Sequence, residues 1–165
     1  MPFGAILIEG KKKTAMKLRY ISMPIFVVLL GISVSASAEE ACKLTVRNKT
    51  GSSIGRIDAN GTIRNASGTA IGRFEKGVVR NKTGASIGRV DSNGTIRNRS
   101  GASIGRVDEN GTLRGANGSQ VGRIDVNGTV RGANGASSGR FDGYAPVCRP
   151  VAAAFLFFFE PLHRS

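Results

Sequence analysis

The chain has few of the side chains on which catalysis and metal binding usually depend. Its 165 residues include one histidine, His163, and two cysteines, Cys42 and Cys148. No serine or cysteine stands in a recognisable nucleophile motif, and no cluster of potential metal ligands occurs. These absences argue against an enzyme. We therefore expect no catalytic residue, no cofactor and no bound metal.

Acidic residues are scarce relative to basic ones. The chain has 24 lysines and arginines against 11 aspartates and glutamates, which gives a formal charge of +13. From Glu39 onward there are 19 basic and 10 acidic side chains, a net charge of +9. Such a basic protein is suited to anionic partners, and the sequence has no specific nucleic-acid motif.

The N-terminal segment has the order of a secretory signal peptide. A basic start at residues 16–19 is followed by the apolar run 25–30 and the small residues 35–38. We expect cleavage after Ala38, with Met16 as an alternative start, and a mature protein in the periplasm or outside the cell. An uncleaved membrane anchor is the other interpretation, although the apolar run is shorter than the roughly 20 residues of a spanning helix.

The middle of the chain, residues 44–143, is a tandem repeat of about 17 residues in six units. The pattern of residues 45–61 recurs five times, and the copies begin at Thr62, Val78, Thr95, Thr112 and Thr129. A typical unit has two turn signals, such as Asp58-Ala59-Asn60-Gly61 and Asn65-Ala66-Ser67-Gly68. Both are typical of a type I turn followed by a left-handed glycine, so each connection is predicted to be a tight hairpin.

These turns predict the register of the strands. Ile57 should face Ile63 within one hairpin, and Ile63 should face Ile71 across the next connection. The second unit is one residue shorter at Glu75-Lys76-Gly77-Val78. A two-residue loop at Lys76-Gly77 keeps Glu75 opposite Val78 and Phe74 opposite Val79, so the shorter turn does not shift the later side chains.

Three positions in each unit are apolar, with one exception at Ser138, and they predict one shared core. The first set is Val46, Ile63, Val79, Ile96, Leu113 and Val130. The second set is Ile54, Ile71, Ile87, Ile104, Val121 and Ser138. The third set is Ile57, Phe74, Val90, Val107, Ile124 and Phe141. The second and third sets lie three residues apart, so we expect a bulge or corner at the glycine between them.

These patterns predict an all-β fold: a closed ring or prism of six short β-hairpin repeats, with an apolar C-terminal tail packed on it. Closure removes the bare edges that a row of hairpins would have. With its repeated Ile-Gly-Arg-Ile and Asn-Gly-Thr motifs, as at 54–57 and 60–62, the segment resembles the four- and five-fold β-flower families of exported bacterial proteins. That resemblance implies hairpins around a pseudo-rotation axis and no established activity. A single-stranded β-helix is the alternative fold.

The segments that flank the repeats, the linker 39–43 and the tail 144–165, carry the two cysteines. Cys42 and Cys148 are expected to form a disulfide across the ends of the array, with two free buried thiols as the alternative. The tail includes nine consecutive apolar residues, 151–159. We expect them to pack over one end of the ring or against another subunit, and a membrane-surface role is a further interpretation.

Two arginine positions recur in each unit. The first arginine row is Arg47, Arg64, Arg80, Arg97, Arg114 and Arg131. The second arginine row is Arg56, Arg73, Arg89, Arg106, Arg123 and Arg140. Arg56 and Arg64 should be cross-strand neighbours, and like charges so placed are destabilising unless an anion lies between them. The rows either bind an anionic polymer or form a solvated stripe that Asp58, Glu75, Asp91, Asp108, Asp125 and Asp142 partly neutralise.

The sequence therefore predicts a non-enzymatic exported structural or binding module of the cell envelope that displays equivalent loops from a hairpin ring. One alternative is an anion-binding or adhesion protein that uses the arginine rows for a glycolipid, nucleic acid or other polyanion. Another is an enzyme, against which the missing motifs argue. Candidate partners are an anionic envelope component and a second copy bound through the apolar tail. The Asp-x-Asn-Gly turns supply one carboxylate each, or two at Asp108-Glu109, too few for a calcium loop.

The mature protein should begin at Glu39, because Ala36 and Ala38 form the Ala-x-Ala pattern after which signal peptidase cleaves. N-terminal sequencing of the mature protein is the measurement. A mature chain that begins at Met1 or Met16 would contradict cleavage and favour the membrane anchor.

Overall fold

A computed structural model describes residues 42–160 as twelve antiparallel strands that close into a barrel, followed by a short helix. The strands are β1 (Leu44–Asn48), β2 (Ser53–Ile57), β3 (Thr62–Asn65), β4 (Ala70–Glu75), β5 (Val78–Asn81), β6 (Ser86–Val90), β7 (Thr95–Asn98), β8 (Ser103–Val107), β9 (Thr112–Gly115), β10 (Gln120–Ile124), β11 (Thr129–Gly132) and β12 (Ser137–Asp142). They pair in chain order, and β12 pairs with β1. This confirms the predicted closed ring. The predicted signal peptide and His163 lie outside the described residues.

Turns that begin with a carboxylate, the carboxylate turns, join β2 to β3 and the equivalent strands of the later units. In the first, Gly61 N donates to Asp58 O over 2.8 Å and Asp58 N donates to Thr62 O over 2.9 Å. Gly61 has φ +79°, which a glycine adopts without strain. The predicted type I turn with a left-handed glycine is confirmed.

The shorter turn of the second unit also has the predicted form. Lys76 and Gly77 both have positive φ, 47° and 79°, which is the geometry of a two-residue hairpin loop. Glu75 faces Val78 and Phe74 faces Val79, as expected. The deletion therefore leaves the later strands in register.

The other turns, which we call the asparagine turns, join β1 to β2 and each later pair of that kind. In the second unit Asn65 Oδ1 accepts a hydrogen bond from Thr69 N over 2.9 Å. A Cβ added at the left-handed glycine of any of these turns would meet nothing within 4 Å. The asparagine turns thus project into open space, whereas Gly61 of the first carboxylate turn lies against the backbone of Phe74.

The register next to each glycine corner differs from the prediction by one residue. Ile57 faces Ile63 as predicted, but Ile63 faces Gly72 and not Ile71. Ile71 is the extra residue of a β-bulge, and a register shift lies at the same place in all six units. The predicted bend at the glycine is therefore present, and the pairing of Ile63 with Ile71 was wrong because the bulged residue has no direct partner.

The bulge decides which apolar sets form the core. The first set is buried throughout, and the third set is buried except for Phe74, which is partly buried. The aliphatic members of the second set, at the bulge, are partly buried and pack against this core. Two of the three predicted rings of side chains therefore point inward, and the second ring borders them.

The interior of the ring is filled by helix α1 (Arg149–Phe158). Its six consecutive residues 151–156 are each at most 4% exposed, and a helix buried on all sides lies in a core. The tail packs on the ring as predicted, but from inside it and not over one end. Within residues 42–160 the longest apolar helix is too short to cross a membrane.

Glycine corners make room for the helix. A Cβ added to four of these glycines would touch a phenylalanine ring: Gly55 meets Phe155, Gly72 meets Phe159, Gly88 meets Phe158 and Gly105 meets Phe157. The four glycines belong to β2, β4, β6 and β8, so the rings reach successive hairpins around the barrel. The space that each missing side chain leaves is therefore occupied by the helix.

The predicted disulfide between Cys42 and Cys148 is present, with the two Cα atoms 5.6 Å apart. Cys42 precedes β1, and Cys148 ends a 3₁₀ turn, Pro146–Cys148, directly before α1. The bond closes a loop with a sequence separation of 106 residues. In the chain-entropy account a loop of this length stabilises the fold by about 5 kcal/mol, because the unfolded chain has fewer conformations.

Gly105→Ala should destabilise the protein by about 1–3 kcal/mol, because it overpacks a filled core. The new Cβ would lie 2.6 Å from Arg114 O and 2.7 Å from Phe157 Cζ. The measurement is urea unfolding of the oxidised protein.

Gly132→Ala is the matched control, since its nearest neighbour would be Asn134 Oδ1 at 3.4 Å. Equal effects of the two substitutions would contradict a specific fit between the glycine corners and the helix.

Candidate anion-binding surface

Strand alternation places both arginine rows on the outer face of the barrel. In β2, Gly55 and Ile57 are buried and Arg56 between them is exposed. In β3, Ile63 is buried and Arg64 follows it toward the surface. Arg56 and Arg64 stand directly opposite each other, as predicted. Two rows of guanidinium groups therefore run side by side around the ring.

A carboxylate lies between the two arginines of most hairpins. Asp58 Oδ1 accepts from Arg56 Nε over 3.1 Å, and Asp58 Oδ2 accepts from Arg64 Nε over 2.7 Å. Four further clusters have the same ion pairs between one Asp and the Nε atoms of two arginines: Arg89–Asp91–Arg97, Arg106–Asp108–Arg114, Arg123–Asp125–Arg131 and Arg140–Asp142–Arg47. The anion that the like charges require is thus supplied by the chain itself.

The two rows differ in what else their guanidinium groups do. Arg64 also donates from Nη1 to Gly68 O over 2.9 Å, and every first-row arginine has the same bond to the glycine four residues later. Within residues 42–160, the second-row arginines of the five clusters form their ion pairs through Nε, and their Nη atoms donate no hydrogen bond. Composition does not reveal this difference, and the four-residue spacing from arginine to glycine is the signal in the sequence that could have predicted it.

Exposure follows the same division. In the five clusters the first-row side chains are 31–44% exposed, and the second-row side chains are 48–62% exposed. The first row is held between carboxylate and turn, and so helps to hold the hairpins together. The second row presents its Nη atoms to solvent.

Two of the bridging carboxylates, Asp58 and Asp91, have a lowered pKa. The hydrogen bond from Arg64 holds the pKa of Asp58 below its ordinary value, although partial burial opposes this. The hydrogen bond from Arg97 lowers the pKa of Asp91 in the same way. The clusters of Asp58 and Asp91 therefore each contain two positive charges and one negative charge near neutral pH.

The second unit departs from this arrangement. Glu75 Oε1 lies 3.5 Å from Arg73 Nη2. Arg80, directly opposite Arg73, donates from Nη1 to Gly84 O over 3.0 Å. Among residues 42–160 Arg80 is the one member of the two rows without a carboxylate partner.

A depression of about 520 Å³ lies on the surface where β12 meets β1, and its lining includes Arg47, Arg140, Asp142 and Lys49. It is therefore part of the same basic surface. The part of the chain that the structure describes contains no group of three or more histidine, cysteine or acidic residues placed to hold a metal ion.

Comparison with protein families assigns the chain to a known family. A family model described as "5-fold beta-flower protein" matches residues 43–160, which include the whole barrel and the helix. The chain belongs to the β-flower family. Searches of curated proteins and of solved structures give no match. The resemblance seen in the repeats is confirmed, and this chain has six hairpins although the family description is five-fold.

Asp58→Asn should destabilise the β-flower at neutral pH, by about 0.5–1 kcal/mol for a surface cluster, because Arg56 and Arg64 then face each other without a carboxylate. Since the folded-state pKa of Asp58 is lowered, its contribution is present above the unfolded value of about 3.9 and is lost as pH falls through the folded value. The difference between the variant and the unmodified protein should therefore shrink in acid.

The measurement is urea unfolding at neutral pH and near pH 2. Glu109→Gln is the control, since it removes one exposed carboxylate that has no arginine partner among residues 42–160. A loss of stability as large in this control would contradict a specific role for the bridging carboxylate.

Proposed function

We propose that the β-flower is an exported, non-enzymatic binding module that holds an anionic polymer on its second arginine row. The observation that carries the proposal is the arrangement of five ion-pair clusters in which Asp contacts Nε and both Nη atoms of the second-row arginine have no partner among residues 42–160. Two Nη donors in one plane match the two oxygens of a carboxylate, phosphate or sulfate group.

Rigidity supports this proposal. The barrel is closed, its interior is filled by α1, and a disulfide joins its ends. The second-row arginines of the five clusters are also held at Nε by an Asp, so less side-chain freedom is lost when an anion binds. A rigid ring of equivalent sites favours a polymer with repeated anionic groups, because each further contact is intramolecular once the first has formed.

Export is part of the proposal and rests on two observations. The predicted signal peptide at residues 1–38 would deliver the chain out of the cytoplasm. The Cys42–Cys148 disulfide suits an oxidising compartment, since thiols in the cytosol are usually kept reduced. An anionic component of the cell envelope is therefore the partner class that we favour.

The asparagine turns give a second candidate function, the display of equivalent loops. A Cβ at the left-handed glycine of each of these six turns would meet nothing within 4 Å, so the turns project away from the barrel into open space. Polar side chains such as Lys49, Thr50 and Arg99 occupy these turns. Such loops could add contacts to a polymer that lies along the second arginine row.

Heparin should bind the β-flower at low salt and be released as salt rises, because binding displaces counterions. The triple variant Arg89→Gln, Arg106→Gln and Arg123→Gln should reduce the slope of log K against log salt by about one for each arginine removed. Its clusters keep the pair between Asp and the first-row arginine, so the fold should remain.

The matched control is the triple variant Lys49→Gln, Lys82→Gln and Arg99→Gln, which removes the same charge from the asparagine turns. We expect this control to bind more tightly than the second-row variant in affinity chromatography and calorimetry. No binding of the unmodified protein at low salt would overturn the proposed function. Equal losses of heparin affinity in the two triple variants would overturn the assignment of binding to the second arginine row.

A further inference from the structure

We propose that the second hairpin contains a discrete oxyanion site, in which Arg73 and Arg80 hold a phosphate or sulfate group where the other hairpins have a bridging carboxylate. The inference rests on the proposed function for its biological use. Its geometry comes from a different observation, the departure of one hairpin from the other five.

The other five clusters serve as internal references. In each of them one Asp forms ion pairs with the Nε atoms of both facing arginines, at N···O distances of 2.6–3.4 Å. In the second hairpin Arg73 faces Arg80 in the same register. Arg80 Nε, however, has no carboxylate partner among the described residues. Of the two opposed guanidinium groups, that of Arg80 therefore has no carboxylate to compensate its positive charge.

Glu75 leaves this gap because of its length and its exposure. It follows Phe74 as Asp58 follows Ile57, but its carboxylate is one methylene further from the backbone. The Glu75 side chain is 47% exposed, whereas the bridging aspartates are 22–33% exposed. Its carboxylate contacts Arg73 at the outer Nη2 atom and leaves the position between the two Nε atoms without an internal acceptor.

The surrounding charge favours an external anion at this place. Residues 73–84 contain four basic side chains, from Arg73, Lys76, Arg80 and Lys82, and one acidic side chain, from Glu75. The equivalent residues 106–118 contain two basic and two acidic side chains. The second hairpin thus has a net charge of +3, the equivalent residues 56–68, 89–101, 106–118 and 123–135 have +1, +2, 0 and +1, and the second hairpin should attract anions most strongly.

The chemistry of the donors indicates the ligand class. Arg73 and Arg80 offer N–H groups from two sides, and a tetrahedral oxyanion has enough oxygens to accept from both at once. A group with more than one negative charge also suits the local excess of positive charge. A phosphate or sulfate group fits both requirements, either as a free ion or as a substituent of the anionic polymer.

The test is a titration of the oxidised protein with sodium sulfate and with inorganic phosphate, against sodium chloride at equal ionic strength. The signals to follow are the Nε–H resonances of the arginines in proton–nitrogen NMR spectra. The unmodified protein should show a saturable shift at Arg80. Arg80→Gln should weaken binding about tenfold or more, since it removes a charge-assisted hydrogen bond, and the matched first-row variant Arg97→Gln should leave it unchanged.

A second variant tests the cause of the gap. Replacing Glu75-Lys76-Gly77 with Asp-Ala-Asn-Gly, the sequence of residues 58–61, gives the second hairpin the regular turn and a bridging carboxylate. Circular dichroism and unfolding would establish that the variant is folded. The saturable shift should disappear in this variant. Equal shifts at all arginines, or an unchanged affinity in Arg80→Gln or in the regular-turn variant, would overturn the site.

Heparin distinguishes the source of the oxyanion and separates this inference from the proposed function. Competition between a heparin oligosaccharide and sulfate at Arg80 would assign the site to the polymer, and a lack of competition would assign it to a free ion. A saturable shift at Arg80 without heparin binding would overturn the proposed function alone. Heparin binding with uniform shifts at all arginines would overturn this site alone.

Discussion

The pairing of β12 with β1 is the contact on which the rest of the structure depends. It converts a row of hairpins with two unpaired edges into a barrel without edges, and it creates an interior that α1 fills. The same pairing brings Asp142 beside Arg47 and completes the last of the five clusters. The disulfide joins residues just outside these strands, so it lowers the entropy lost when the two ends of the array meet.

The β-bulge in each unit connects the packing of the interior to the arrangement of charge outside. It places Gly55 and Ile57 inward on one strand and leaves Arg56 outward between them. The inward glycine admits a phenylalanine ring from α1, whereas any larger side chain would compete with the helix for the same space. The bulges and the packing against α1 fix the geometry of the strands that carry the arginines. The spacing of the arginines therefore repeats around the ring.

Much of this fold follows from local sequence signals, and the exceptions have physical causes. Turn chemistry and the three apolar sets predicted the hairpins, the closure and the pairing of Ile57 with Ile63, because glycine and Asx residues specify tight turns. The bulge places Ile63 opposite Gly72 and not opposite Ile71. The glycine pattern predicts a bulge but does not say which neighbouring residue is the unpaired one. The helix was missed because the apolar run 151–159 has no polar face that would reveal helical periodicity. The two arginine rows could not be told apart by composition, since their difference lies in hydrogen bonds to turn carbonyls.

Because arginines face each other across the paired strands, the carboxylate turns affect folding as well as the charge of the surface. Like charges directly across two strands oppose pairing, and an Asp two residues after Arg56 and six before Arg64 lies close enough in the chain to compensate them as the hairpin forms. In the second hairpin this internal compensation is incomplete at Arg80. An anion bound there would relieve repulsion within the fold in addition to accepting hydrogen bonds. An anion should therefore bind more tightly at Arg80 than at a cluster in which an Asp already lies between the two arginines.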